Sequence, residues 1–303
     1  MSAETSAIEA DGLDKRYGRR WALQGCTLSV PAGRVVGLVG ANGAGKSTFL
    51  HIAVGLLDPT EGTISVLGER PGGDAAQLAR VGFVAQDAPV YPWLSVGEHL
   101  QLGRRLNPSW DGELARARVE RLDLDPGQRA GRLSGGQRSQ LALTLAMAKR
   151  PELLILDEPV ASLDPLARRE FLQDLMGLAA DRAPTVVLSS HLLSDVERVC
   201  DHLIVVAKGR VQVAGDVDDL LAGHKLLTGP RRDPGRMPGN QRVVQVSHTE
   251  RQTTMVVQTT DPILDPRWVV SDIGLEDLVL AYMSGSVDGP PPAETPALVE
   301  VPR

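Results

Sequence analysis

Cysteine is almost missing from this 303-residue chain, which has only Cys26 and Cys200. Two thiols cannot build a disulfide framework, which excludes the stapled secreted scaffolds and suits a reducing compartment. Both lie among apolar neighbours and read as small core residues rather than reactive thiols. Long apolar runs are missing too. No uninterrupted stretch approaches the roughly 18 residues of a membrane-spanning helix, so none is expected. The opening MSAETSAIEADG has no basic region followed by an apolar one, so no signal peptide is expected and the protein reads as cytoplasmic. Aromatics make up 3% of residues, and lysine is scarce at five against 27 arginines. A GC-rich genome is the plain explanation for such a bias, which makes the place of any one lysine informative. Positive charge is in deficit overall. A net charge of -6 argues against a specific nucleic-acid partner for the surface as a whole.

What is present is ordinary for a globular protein, with 42% hydrophobic and 23% charged residues. The length suffices for one large domain and a smaller appendage. Residues 1–6 read as a frayed end, and residues 7–30 as two short strands around RYGRR. GRVVGLV, GTISVLG, RVGFVAQ, PELLILDEP and PTVVLSS read as strands, with KSTFLHIAVGLL, a stretch from about 165 to 180 and LLSDVERVC as helices. Residues 96–130 look helical but are interrupted by Pro108 and LDPGQ. DHLIVVAKGRVQVAG reads as a hairpin around Lys208 and Gly209. Strands alternating with helices predict an α/β domain with a mainly parallel sheet and antiparallel pieces at its start. Beyond about Gly223 the composition shifts. GPRRDPGRMPGN reads as a linker or exposed loop, QRVVQVSH and TTMVVQTTD as an antiparallel pair, and GLEDLVLAYM as a helix. The proline-rich tail from about 284 reads as disordered.

Two segments carry chemistry by themselves. GANGAGKST, Gly40 to Thr48, matches G-x-x-x-x-G-K-[ST] between an apolar strand and a helix. Gly40, Asn42, Gly43, Ala44 and Gly45 let backbone amides wrap a phosphate, Lys46 neutralises the β- and γ-phosphates, and Ser47 offers a hydroxyl to Mg²⁺. LLILDEP places Asp157 and Glu158 at a strand's C-terminal end, where open α/β sheets bind ligands. Asp157 suits Mg²⁺, and Glu158 suits polarising a water for in-line attack on a γ-phosphate. No N-K-x-D guanine motif occurs, so adenine is the expected base.

A third segment starts a helix with poor helix formers. In RLSGGQRSQLALTLAMA the glycines at 135 and 136 would each cost about 1 kcal/mol inside a helix. Ser134, Gly135 and Gly136 can serve as a plain N-cap, or as a second anion site of open amides at a helix terminus. Tyr17 in KRYG could likewise be a hairpin aromatic, and Gln86 in FVAQD and His191 in SSHLL polar caps at strand ends.

Their joint order resembles the ATP-binding subunit of ABC transporters across about residues 7 to 222. The resemblance implies a P-loop NTPase of ABC type: a mixed-sheet core, an antiparallel β subdomain and a helical signature subdomain at about 87–150. A small α+β appendage (223–283) and a disordered tail (284–303) would follow. It implies that Tyr17 stacks on adenine, Gln86 senses Mg²⁺ and γ-phosphate, and His191 is a switch histidine beside the catalytic Glu158 and Lys46. Leu133, Ser134, Gly135, Gly136 and Gln137 match the signature that contacts ATP held by another subunit, and Asp164 in SLD matches a loop crossing between subunits. ATP and Mg²⁺, a homodimer or heterodimer of ATPase subunits around two ATPs, and a separate integral-membrane permease follow from it. DAPVYPWLSVGEHLQLG, with Tyr91 and Trp93, resembles the surface that meets the permease, although Trp93 could instead pack under its own helices. The style after His191 resembles drug- and lantibiotic-exporter subunits. An importer subunit, and a soluble ABC ATPase acting on ribosomes or nucleic acid, remain as alternatives.

Overall fold

The structure, a computed structural model, describes residues 5–161, 163–231 and 241–284. β1 (Ser6–Tyr17) and β2 (Arg20–Pro31) form a long antiparallel hairpin, with twelve residues in each strand rather than the short pieces expected. Ser6 belongs to β1 instead of fraying, and the Thr5 carbonyl accepts from the Ala32 amide at 2.8 Å. β3 (Val35–Val39) leads through the glycine loop into α1 (Lys46–Ala53). β4 (Glu61–Val66) returns to pair with β1, completing a three-stranded antiparallel sheet in the order β2-β1-β4.

α2 (Ala75–Arg80), which the sequence reading did not anticipate, precedes β5 (Val81–Val84). α3 (Val96–Leu106), α4 (Gly112–Arg121), a short 3₁₀ turn (Ala130–Arg132) and α5 (Gly135–Ala148) then build the helical part. Val96, Val119, Leu124, Ala130, Leu133 and Leu141 form its own apolar cluster. The breaks around Pro108 and LDPGQ fall where expected, between helices. β6 (Leu153–Asp157), α6 (Pro165–Arg182), β7 (Thr185–Ser190), α7 (Leu193–Val199), β8 (His202–Ala207) and β9 (Arg210–Asp216) complete a six-stranded sheet ordered β5-β6-β7-β3-β8-β9. It is parallel except for β9, which pairs antiparallel with β8 around Lys208 and Gly209.

β3, β6 and β7 are buried along their whole length, as parallel strands covered on both faces must be. Alternate residues of each strand serve opposite faces. Val36, Leu38, Leu153, Ile155 and Val187 pack with Ile8, Leu13 and Leu28 of the hairpin sheet and Phe49 and Leu50 of α1. Val35, Val39, Leu154, Leu156, Val186 and Leu188 pack with Leu143, Phe171, Val196 and residues near the C-terminus. Cys26 and Cys200 are buried and free, and burial raises both thiol pKa values.

α8 (Val217–Ala222) is followed by β10 (His224–Pro230), β11 (Arg242–His248), β12 (Gln252–Gln258), β13 (Val269–Asp272) and α9 (Leu275–Ser284). The expected pair, β11 and β12, belongs to a four-stranded antiparallel sheet ordered β11-β12-β10-β13. α9 does not stand apart. Leu275, Leu278, Val279, Ala281 and Tyr282 join the same core as Val196, Leu203 and Val205. Most of the GPRRDPGRMPGN stretch and the tail from 285 onward lie outside the described residues.

Candidate functional site

The phosphate loop, Gln86, Asp157, Glu158 and His191 lie at the C-terminal ends of the central strands. The loop after β3 reaches α1 with Gly45 in the left-handed region, φ 110°. A Cβ on Gly40 would lie 2.2 Å from the Val206 carbonyl oxygen, and one on Gly45 2.5 Å from that of Ala22. Glycine is required at both places so that the loop can sit against β8 and β2. A cleft of about 450 Å³ opens in front of the loop. Tyr17, Asn42, Gly43, Gly45, Lys46, Ser47, Thr48, Gln86 and Glu158 line it, together with Arg20 and Ala22.

One carboxylate is the meeting point. Lys46, only 4% exposed, has its ammonium 3.4 Å from Glu158 Oε1 and donates to the carbonyls of Gly40 (2.8 Å) and Ala41 (3.4 Å). Gln86 Nε2 donates to Glu158 Oε2 at 3.4 Å, and His191 Nδ1 lies 3.1 Å from the same oxygen. Residues from four separate segments of the chain thus converge at one group. Glu158 itself holds φ 45°, a left-handed conformation that costs a non-glycine residue about 1–3 kcal/mol and that clusters at functional sites. Asp157 is buried beneath it, and its Oδ1 accepts from Ser189 Oγ at 2.7 Å.

Ser47, Gln86 and Asp157 supply hydroxyl, amide and carboxylate oxygens, the hard donors Mg²⁺ prefers. Among the described residues no group of three His, Cys, Asp or Glu could hold a metal unaided. That sparse donor set fits Mg²⁺, which ordinarily relies on one or two carboxylates with phosphate oxygens and waters.

The signature segment does not line this cleft. Leu133 is buried in the helical cluster, while Ser134 and Gln137 form a reciprocal capping box at the start of α5. Ser134 Oγ accepts from the Gln137 amide at 3.1 Å, and Gln137 Oε1 accepts from the Ser134 amide at 2.9 Å. The cap offsets part of the glycines' cost to the helix. A Cβ on Gly135 would meet nothing within 4 Å, so packing inside this chain does not demand glycine there. At Gly136 a Cβ would meet Leu163 Cδ2 at 3.4 Å, so the signature adjoins the SLD segment. Asp164 Oδ1 accepts from the amides of Leu166 (2.9 Å) and Ala167 (3.0 Å) at the start of α6. Ser162 lies outside the described residues.

Trp93 does not pack beneath its helices. It is 63% exposed beside Tyr91, with ring centroids 5.5 Å apart. Sequence reasoning missed Arg20 and Ala22 in the cleft, and Ser189 behind the carboxylates. Ser189 had a signal in LSSH, but only strand register brings it opposite Asp157.

A family model described as ABC transporter matches residues 23–161. The nickel import ATP-binding protein NikO of Rhodobacter capsulatus is 39% identical over 76% of this chain and 97% of its own length. The Nod factor export ATP-binding protein I of Burkholderia orbicola is 37% identical over 67% of this chain and 68% of its own. A solved ATP-binding subunit of an ABC transporter superposes with a TM-score of 0.64 at 30% identity, covering 71% of this chain and 92% of that one.

Proposed function

Because the chain belongs to the ATP-binding subunits of ABC transporters and hydrolyses ATP in support of transport, we propose roles for the residues gathered around Glu158. Tyr17 stacks on the adenine. The amides from Gly40 to Thr48 hold the phosphates, with Lys46 turning from Glu158 to the β- and γ-phosphates. Ser47, Asp157 and Gln86 hold Mg²⁺, which when bound neutralises phosphate charge. Glu158 orients the attacking water and accepts its proton as the new P–O bond forms and the bridging bond to the β-phosphate breaks. His191 holds Glu158 in place. The observation that carries this reading is the convergence of Lys46, Gln86 and His191 on one carboxylate.

Ser134 to Gln137 do not line their own cleft and Gly135 has open space around it, which supports their binding the phosphates of a second subunit's ATP in a head-to-tail dimer around two ATPs. Residues 1–222 form the ATP-binding part, and 223–283 an appended α+β part held down by α9. None of the described helices is long and apolar enough to cross a membrane. In this reading a separate permease supplies the pathway and holds the subunit at the cytoplasmic face of the membrane, with exposed Tyr91 and Trp93 as docking residues. The resemblance to exporter subunits and the Nod factor export relatives favour export, whereas the nickel import relative favours import. Reconstitution with the co-purifying permease separates these by the direction of transport.

Glu158→Gln tests the mechanism. With ATP it should accumulate as a dimer on size-exclusion chromatography with little turnover. A variant that stays monomeric and hydrolyses at the wild-type rate would overturn it.

A further inference from the structure

Arg20 lines the cleft beside the phosphate loop, and neither the family motifs nor the roles above use it. Its position follows from hairpin register. Tyr17 and Arg20 are direct antiparallel partners across the two-residue turn at Gly18 and Arg19. Residues opposite one another in such a ladder present their side chains to the same face, with Cβ atoms about 5 Å apart. One end of the hairpin therefore offers an aromatic ring and a guanidinium side by side.

The guanidinium reaches the phosphate loop, with Nη2 3.4 Å from where a Gly43 Cβ would stand. Neighbouring cations are engaged elsewhere: Lys15 donates to the Asp58 carbonyl at 2.6 Å, and Arg16 lies over the Trp21 ring. Among the described residues Arg20 has no ion-pair or hydrogen-bond partner. Lys46 is the other cation lining the cleft and lies beside Glu158. A nucleotide polyphosphate would bring several negative charges to a cleft whose lining side chains sum to one positive charge.

We propose that Arg20 is a phosphate-binding residue that grips the α- and β-phosphates shared by ATP and ADP, joining the base platform of Tyr17 to the loop at Gly43. A planar guanidinium suits this two-oxygen contact. Arg20 does not touch Glu158, Gln86 or His191, so its contact with the phosphates forms on binding and acts mainly on affinity. Its loss raises KM more than it lowers kcat. The proposal rests on the reading of this cleft as the ATP site.

Calorimetric titration of the full chain with ATP, ADP and adenosine tests it. Arg20→Ala should weaken ATP and ADP alike by about 10- to 100-fold, the range of a charge-assisted hydrogen bond. Adenosine affinity should not change, saturated kcat should fall less than ATP affinity does, and Arg20→Lys should recover part of the loss. Unchanged ADP affinity, or an equal loss for adenosine, would overturn the proposal; the latter would mean that the hairpin had shifted. A fall in kcat at saturating ATP larger than the loss of ATP affinity would overturn it as well. Failure of the underlying reading is distinct: wild-type protein would then bind neither nucleotide, or Lys46→Ala would bind both as tightly as wild type.

Discussion

Asp157 and Ser189 stand directly opposite one another in the parallel register of β6 and β7, with the serine hydroxyl donating to Asp157 Oδ1 at 2.7 Å. The same hydroxyl accepts from the Glu158 amide at 2.8 Å. One fully buried side chain therefore holds the residue assigned to the metal and the backbone of the residue assigned to the water.

Ser189→Ala should lower kcat about tenfold, because Glu158 loses its amide partner at a strained φ. ATP affinity should change little, since the phosphate loop is untouched. Steady-state ATPase assays and nucleotide titration check this, and an unchanged kcat would remove Ser189 from the support of the site.

Gly135 separates helix stability from function. With open space around its Cβ position, Gly135→Ala should stabilise the folded chain by up to about 1 kcal/mol. Gly135→Leu should also fold and bind ATP at its own phosphate loop. Both should lose ATP-driven dimerisation, and hydrolysis should fall at least about tenfold if a second subunit's phosphate must approach these amides. Melting curves combined with ATPase assays read the two effects apart; a fully active leucine variant would exclude the signature from phosphate contact.

A buried ion cluster ties three helices. Arg118 Nη1 of α4 lies 2.9 Å from Asp174 Oδ2 of α6, while its other nitrogens donate to Thr144 Oγ1 (3.2 Å) and Gln140 Oε1 (3.4 Å) of α5. Arg121 adds a second cation at 2.6 Å from the same oxygen. Burial pushes the Arg118 pKa down, and Asp174 opposes that. Asp174→Ala should cost about 3–5 kcal/mol by stranding a buried charge. Arg118→Met combined with Asp174→Ala should recover part of that loss. Chemical denaturation of the singles and the double checks this, and strict additivity would argue against coupling.

His224 makes stability depend on pH. Its Nδ1 lies 2.6 Å from the Leu220 carbonyl oxygen and its Nε2 2.8 Å from the Tyr282 hydroxyl, linking β10 to α9. Burial, chiefly, lowers the imidazole pKa from its ordinary 6.5; the hydrogen bond to Leu220 opposes this and the Arg242 charge adds to it. Tyr282, pushed up to about 12 by burial, stays protonated. As pH falls below 6.5 the unfolded chain takes up the proton first, so stability drops until the folded imidazole also titrates and is level above that window. The melting temperature of wild type should fall more than that of His224→Gln between about pH 7 and pH 5.5. Parallel curves would show that another group carries the dependence.

Local pattern made much of this legible in advance. The buried runs of β6 and β7, the glycine loop before α1 and the helix after Ser134 each announce themselves over a few residues, because strand burial, phosphate wrapping and helix capping are short-range matters. β13 gave no such sign: all four of its residues are exposed at a sheet edge, so no alternation marks it. α2 is only six residues long, and β10 was hidden by its place after the short α8.

Residue types and spacing thus determined which groups could meet a phosphate, a metal or a water. Which of them meet was decided by topology. Lys46, Gln86 and His191 meet at the Glu158 carboxylate because β3, β5, β6 and β7 lie side by side with their ends aligned, a relation carried by non-local backbone pairing. Arg20 owes its place at Gly43 to hairpin register, and α9 owes its burial to the apolar face left open by α7 and β8. Strand pairing and side-chain packing join residues far apart in the chain, so these relations exist only once it has folded.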